Sequence, residues 1–148
     1  MTSRWEAARR LGKPLPWVDE VEDAIAHEAE RMVARWLGVP TFDYVGAADP
    51  GWDMVYRGWR IDTKWTRYRP PWLKCRSSEP LLADIYCVVV GSSIDDLWIP
   101  ARCWAIRSEV MAAPLDDFGQ ERAGAYTLRH LRPAEFLKGI VPRPGYDA

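Results

Sequence analysis

Cysteine and histidine are scarce in this chain of 148 residues. The three cysteines, Cys75, Cys87 and Cys103, lie far apart and form no CxxC pair, and His27 and His130 are the only histidines. This pattern argues against a structural zinc site and against a disulfide framework. Thiols that are not paired by disulfides are typical of the reducing cytosol, so we expect a cytoplasmic protein.

Long apolar runs are also missing. The longest, Ile85 to Val90, is far shorter than the roughly 18 residues that a membrane-spanning helix needs. Residues 1–10 are charged and lack the apolar centre of a signal peptide, so we expect neither export nor a membrane partner. The net charge is −1, so the chain has no overall basic field that would indicate nucleic acid.

What remains is an ordinary globular composition, with 48% hydrophobic and 28% charged residues. A length of 148 residues fits one domain, 1–148, since about 150 residues per domain is the usual prior. Local patterns predict a helix, then a group of strands, then further helices and strands, which indicates a mixed α/β fold with a sheet flanked by helices. The predicted helices are 16–37, 102–111 and 134–138, and the predicted strands are 52–56, 59–65, 83–91, 97–99 and 125–128, with a basic loop over 66–80.

The first two strands form a hairpin that brings two acids together. If Arg57 and Gly58 form a two-residue turn, Tyr56 pairs with Trp59 and Asp53 lies opposite Asp62. Side chains alternate along a strand, so Asp62 and Lys64 share one face. Like charges directly opposite each other destabilise a hairpin, and two carboxylates about 5 Å apart repel by roughly 3 kcal/mol at an effective dielectric constant near 20.

A bound cation would offset this repulsion. Mg²⁺ is usually held by one or two carboxylates together with substrate phosphate, and Lys64 would add a positive charge that stabilises a developing phosphorane or orients a water molecule. On the preceding helix, Glu28 falls at the edge of the apolar stripe through Ile25 and Met32. We therefore predict that Glu28 completes the site, whereas Glu30 points elsewhere.

The order of these residues resembles the PD-(D/E)XK nuclease superfamily. Asp53 matches its first acid, Asp62-Thr63-Lys64 matches its (D/E)-x-K motif, and the helix that carries Glu28 is similar to the first helix of small phage-type and resolvase-type members. The apolar run 83–91 and the segment 97–101 are similar to the two strands that come next in that group. Pro50 lies three residues before Asp53 rather than next to it.

The resemblance implies a restriction-endonuclease-like core with a mixed four- to five-stranded sheet flanked by helices. It also implies a Mg²⁺-dependent endonuclease of phage or mobile-element type, with Mn²⁺ as a substitute, acting on structured or double-stranded DNA in the host cell cytoplasm. Asp53, Asp62 and the carbonyl of Thr63 would hold the metal, Lys64 would serve the attacking water, and Glu28 would be an outer or second-metal ligand. A homodimer is expected if both strands are cut, because one site cuts one strand.

A basic stretch comes after the hairpin. Residues 57–76 contain seven basic side chains and one acid, Asp62, which is the local charge that phosphate binding needs. Aromatic side chains alternate with the basic ones and are suited to stacking on unpaired bases. The predicted DNA-binding residues are Arg60, Arg67, Arg69, Lys74, Arg76, Trp65 and Tyr68.

Two other interpretations stay open. The same residues fit a non-catalytic DNA- or protein-binding module on the same fold. Alternatively, the acids and Lys64 form an ordinary solvated ion pair on a hairpin face, and Glu28 is only paired with Arg31 or Arg35 on its own helix.

Overall fold

A five-stranded mixed sheet forms the centre of the computed structural model, which describes residues 20–41, 50–77, 79–116 and 125–146. Its strands lie in the order β1-β2-β4-β5-β8 and comprise β1 (Met54–Tyr56), β2 (Trp59–Thr66), β4 (Ile85–Val90), β5 (Arg102–Ile106) and β8 (Arg132–Pro133). A smaller sheet has the order β3-β7-β6 and comprises β3 (Leu73–Arg76), β6 (Leu115–Asp116) and β7 (Ala125–Leu128). The helices are α1 (Glu20–Leu37), α2 (Arg107–Met111) and α3 (Ala134–Lys138).

The central sheet is covered on both faces, which explains why every residue of β4 is buried. Helices α1 and α3 pack on one face, where the core includes Ala29, Val33, Ile61, Ile85, Cys87, Val89 and Leu137. The small sheet and α2 pack on the other face, where the core includes Leu73, Cys75, Tyr86, Val88, Val90 and Val110. The predicted mixed α/β class is confirmed, but one layer over the sheet is itself a sheet rather than helices only.

The predicted hairpin register is confirmed over β1. Met54 pairs with Ile61 and Tyr56 with Trp59. Arg57 and Gly58 have φ angles of 51° and 83°, which is the backbone that a two-residue turn of type I′ requires. On its other side β2 pairs with β4 in parallel, so that Asp62 lies beside Tyr86.

The prediction of a helix over 102–111 was wrong for its first half. Residues 102–106 form β5, because Cys103 and Trp104 pack into the core on a strand that pairs with both β4 and β8. Only 107–111 is helical. Tertiary pairing outweighs the weak local preference of such a short segment.

Other differences are local. The loop predicted over 66–80 contains β3, which pairs with β7, and the strand predicted at 97–99 is reduced to one bridge between Trp98 and Val90. The predicted strand 125–128 and helix 134–138 are confirmed. The first helix ends at Leu37 as predicted, and the residues proposed for its start, 16–19, lie outside the described residues. None of the helices described is long and apolar enough to cross a membrane.

Candidate functional site

The site lies on an open edge of β2. Strand β1 pairs with β2 only as far as Ile61, whereas β4 accompanies it to Thr66, so in the described part of the chain no strand covers the first edge beyond Ile61. Asp53, just before β1, donates its amide to the carbonyl of Ile61 at 2.8 Å. Asp53 is thereby shifted by one residue from the ideal register, and its Oδ2 accepts a hydrogen bond from the Thr63 amide at 2.7 Å.

This arrangement brings the two predicted acids together. The carboxyl group of Asp53 is buried, with 3% of the residue exposed, and it contacts that of Asp62. Burial and, to a smaller extent, the negative charges of Asp62 and Glu30 raise the pKa of Asp53 well above its usual value. The ammonium Nζ of Lys64 lies 2.9 Å from Asp62 Oδ2, and the Asp62 charge raises the pKa of Lys64.

The helix contributes Glu30 and not Glu28. Glu28 accepts bonds from Arg31 and Arg35 at 3.3 and 2.9 Å, so it has the pairing on its own helix that the alternative interpretation gives it. Glu30 is only 5% exposed and acts on the charge of Asp53. The prediction that Glu28 completes the site is therefore corrected, as is the prediction that Glu30 points elsewhere.

The reason for this correction is that the buried face of α1 is wider than the predicted apolar stripe. Ile25 of that stripe is buried and Met32 packs against the core, as predicted. The buried face also includes Ala29, Val33 and Leu37, and Glu30 adjoins it one turn before Val33 and Ala34. The buried alanines Ala29 and Ala34 on this face are the sequence signal that could have placed Glu30 beside the sheet.

These three carboxyl groups open onto a cavity of about 210 Å³, here called the carboxylate cavity, whose lining includes a fourth acid, Glu79, together with Thr63, Lys64, Cys75, Arg76 and Tyr86. Burial raises the pKa of the Cys75 thiol to about 12 and that of the Tyr86 phenol to about 12. Neither group is ionised at neutral pH. The negative charge of the cavity therefore belongs to its carboxylates, and two cations face them: Lys64 beside Asp62, and Arg76, which lies 3.8 Å from Glu79.

The donors fit a hard divalent cation that also takes ligands from substrate. In the described residues no group of three or more His, Cys, Asp or Glu side chains forms a metal cage. Mg²⁺ does not require one, because one or two carboxylates suffice when phosphate and water fill the other positions. The Thr63 amide faces the open edge, and its carbonyl shares that direction on a β-strand. Thr63 Oγ1 is buried without a hydrogen-bond partner, which suits a site completed by ligand or water.

The predicted DNA-binding residues fall into four places. A second cavity of about 230 Å³, here called the aromatic cavity, is lined by Glu22, Lys64, Trp65, Thr66, Arg67, Tyr68, Trp72, Lys74 and Val88. It therefore gathers four of the predicted residues, and it shares Lys64 and Trp65 with the carboxylate cavity. Arg76 borders the carboxylate cavity, whereas Arg69 lies over the ring of Trp98, 4.1 Å from its centroid.

Arg60 has a structural partner. Its guanidinium donates to both carboxylate oxygens of Asp84, at 3.2 and 3.3 Å, and its main-chain amide donates to Asp84 at 2.9 Å. It also lies 5.0 Å from the centroid of Trp52. Arg60 therefore ties β2 to the start of β4, and we expect it to have this structural role in place of the predicted DNA contact.

No protein-family model matches the sequence, and no match was found among curated proteins or solved structures. The resemblance to the PD-(D/E)XK superfamily thus stays a prediction from a short motif and an order of elements. Any function of this protein must accordingly be inferred from the residues of this chain and their geometry.

Proposed function

We propose that this protein is a metal-dependent DNA endonuclease with a restriction-endonuclease-like core, of phage or mobile-element type. It hydrolyses phosphodiester bonds in structured or double-stranded DNA in the cytoplasm, as a homodimer when both strands are cut. The observation that carries the proposal is the contact between Asp53 and Asp62 on an open sheet edge, with Lys64 2.9 Å from Asp62.

The cost of this contact supports the proposal. Two acids in contact, with a third nearby and two of the three almost fully buried, lower the free energy of unfolding unless something offsets them. Lys64 neutralises one charge of the group. A cavity that keeps surplus negative charge beside a lysine has the composition of a site for a cation and a phosphodiester.

Asp53, Asp62 and the Thr63 carbonyl are the groups that would hold Mg²⁺ or Mn²⁺, with Glu30 in the outer position first assigned to Glu28. A bound ion would lower the pKa of a water molecule and neutralise phosphate charge. Lys64 donates hydrogen bonds to the attacking water and to a non-bridging phosphate oxygen, and its positive charge stabilises the transition state. The Thr63 amide holds the Asp53 carboxyl group in one orientation.

A cleavage assay tests the proposal. Supercoiled, linear, branched and single-stranded DNA are incubated with Mg²⁺, Mn²⁺ or EDTA, with Lys64→Ala, Asp62→Asn and the control Lys138→Ala. We expect metal-dependent cutting by the wild type and by Lys138→Ala, and a loss of roughly 10²–10³-fold for either site variant, as for other groups that stabilise transition-state charge. If folded wild-type protein cuts none of these substrates, the nuclease proposal is wrong and the binding-module interpretation takes its place.

A further inference from the structure

The aromatic cavity adjoins the carboxylate cavity and has the chemistry of a base-binding pocket. Three aromatic side chains line it, Trp65, Tyr68 and Trp72, together with the cations of Lys64, Arg67 and Lys74. Glu22 is the acid among the described lining residues, and it lies 3.4 Å from Arg67 with both side chains half exposed. The cavity therefore presents aromatic rings within an excess of positive charge.

Its rings are held in place by the fold. Trp65 donates its indole N–H to the Gly91 carbonyl at 2.8 Å. Arg129 lies 4.5 Å from the centroid of Trp72. Tyr68 stays 62% exposed, yet its amide donates to Thr66 Oγ1 and Lys74 Nζ lies 5.2 Å from its ring centroid. A ring fixed in this way while exposed to solvent is suited to stacking on an incoming ring.

Size limits the ligand. A volume of about 230 Å³ is below the roughly 300–1,000 Å³ of pockets for drug-sized molecules, so the cavity admits a single planar group. Bases within a duplex are stacked and paired, so only an unpaired base can enter. Because Lys64 lines both cavities, that base belongs to a nucleotide next to the phosphate at Lys64.

We propose that the aromatic cavity binds an unpaired nucleobase, so that the preferred DNA is single-stranded or carries a flap or a branch at the cutting position. This inference concerns the substrate of the proposed nuclease site and depends on that function for its biological meaning. The binding itself depends only on the rings of Trp65, Tyr68 and Trp72 and the surrounding cations.

Binding is measured by fluorescence anisotropy in EDTA, where no cutting interferes, with a labelled single-stranded 20-mer and the matched duplex. Tyr68→Ala should weaken single-strand binding by about 5- to 150-fold, the usual effect of losing one stacked base, and should change duplex binding less than twofold. Tyr68→Phe keeps the ring and should bind like the wild type. Phe136→Ala is the matched control, since Phe136 is also 62% exposed and lies on α3.

The results separate this inference from the proposed function. If Tyr68→Ala binds the single strand normally, or loses single-strand and duplex binding equally, the base pocket is refuted, whether or not the protein cuts DNA. If single-strand binding depends on Tyr68 but no substrate is cut with Mg²⁺ or Mn²⁺, the base pocket stands and the nuclease proposal fails.

Discussion

Replacing Asp53 with Asn should stabilise the metal-free protein while abolishing cleavage. Asn keeps an oxygen that accepts the Thr63 amide hydrogen bond but removes the buried charge next to Asp62 and Glu30. Two carboxylates about 4–5 Å apart repel by roughly 3–4 kcal/mol at an effective dielectric constant near 20. Asn carries no charge and so removes this repulsion from the folded state, and we expect Asp53→Asn to gain about 1–3 kcal/mol at pH 7.

The gain should depend on pH with a definite sign. The pKa of Asp53 is higher in the folded state than in the unfolded chain, so between these two values the folded state binds more protons. The free energy of unfolding of the wild type therefore falls as pH rises through that interval and levels off above it. Asp53→Asn lacks this fall, and the two proteins should converge in stability as pH is lowered from the folded pKa to the pKa of the unfolded chain.

Urea unfolding in EDTA at a series of pH values measures this difference. Asp84→Asn is the matched control with the opposite sign. Burial raises the pKa of Asp84, but hydrogen bonds from Arg60 outweigh burial and hold that pKa below its usual value, so its contribution to stability is present at neutral pH and lost on acidification. Adding Mg²⁺ should stabilise the wild type and leave Asp53→Asn unchanged. If Asp53→Asn proves less stable than the wild type at pH 7 in EDTA, the repulsion assigned to the acidic pair is refuted.

Two further predictions concern the acids Glu28 and Glu30 on α1 and Arg60 on β2. Glu30→Gln should reduce kcat/KM for cleavage of the best substrate at least tenfold, because Glu30 adjoins Asp53. Glu28→Gln should reduce kcat/KM less than twofold, because Glu28 only pairs with Arg31 and Arg35. If the two effects are reversed, Glu28 is the site residue, as first predicted. Arg60→Ala should lower the free energy of unfolding by about 1–3 kcal/mol, because it leaves Asp84 poorly paired. Its DNA affinity, measured by fluorescence anisotropy, should be unchanged. A tenfold loss of affinity would show that Arg60 contacts DNA.

The hairpin and its acids were determined by local sequence. The Arg57-Gly58 turn, the pairing of Tyr56 with Trp59 and the shared face of Asp62 and Lys64 result from turn geometry and from the two-residue period of a strand, and the structure has each of them. The class of fold was predictable from the alternation of apolar segments in the same way. These features depend on residues that are close in the chain.

The rest was decided by contacts between distant segments. Strand β5 forms because β4 and β8 lie on either side of it, although its own residues also fit a helix. Arg60 belongs to the basic stretch in the sequence, but in the fold its guanidinium pairs with Asp84, which lies 24 positions later. Glu30 lies beside Asp53 because α1 packs on the sheet through the face that carries Ala29, Val33 and Leu37. The rotation of a helix about its axis is set by what it packs against. A periodic pattern places residues on a face, but only packing determines which face meets the site.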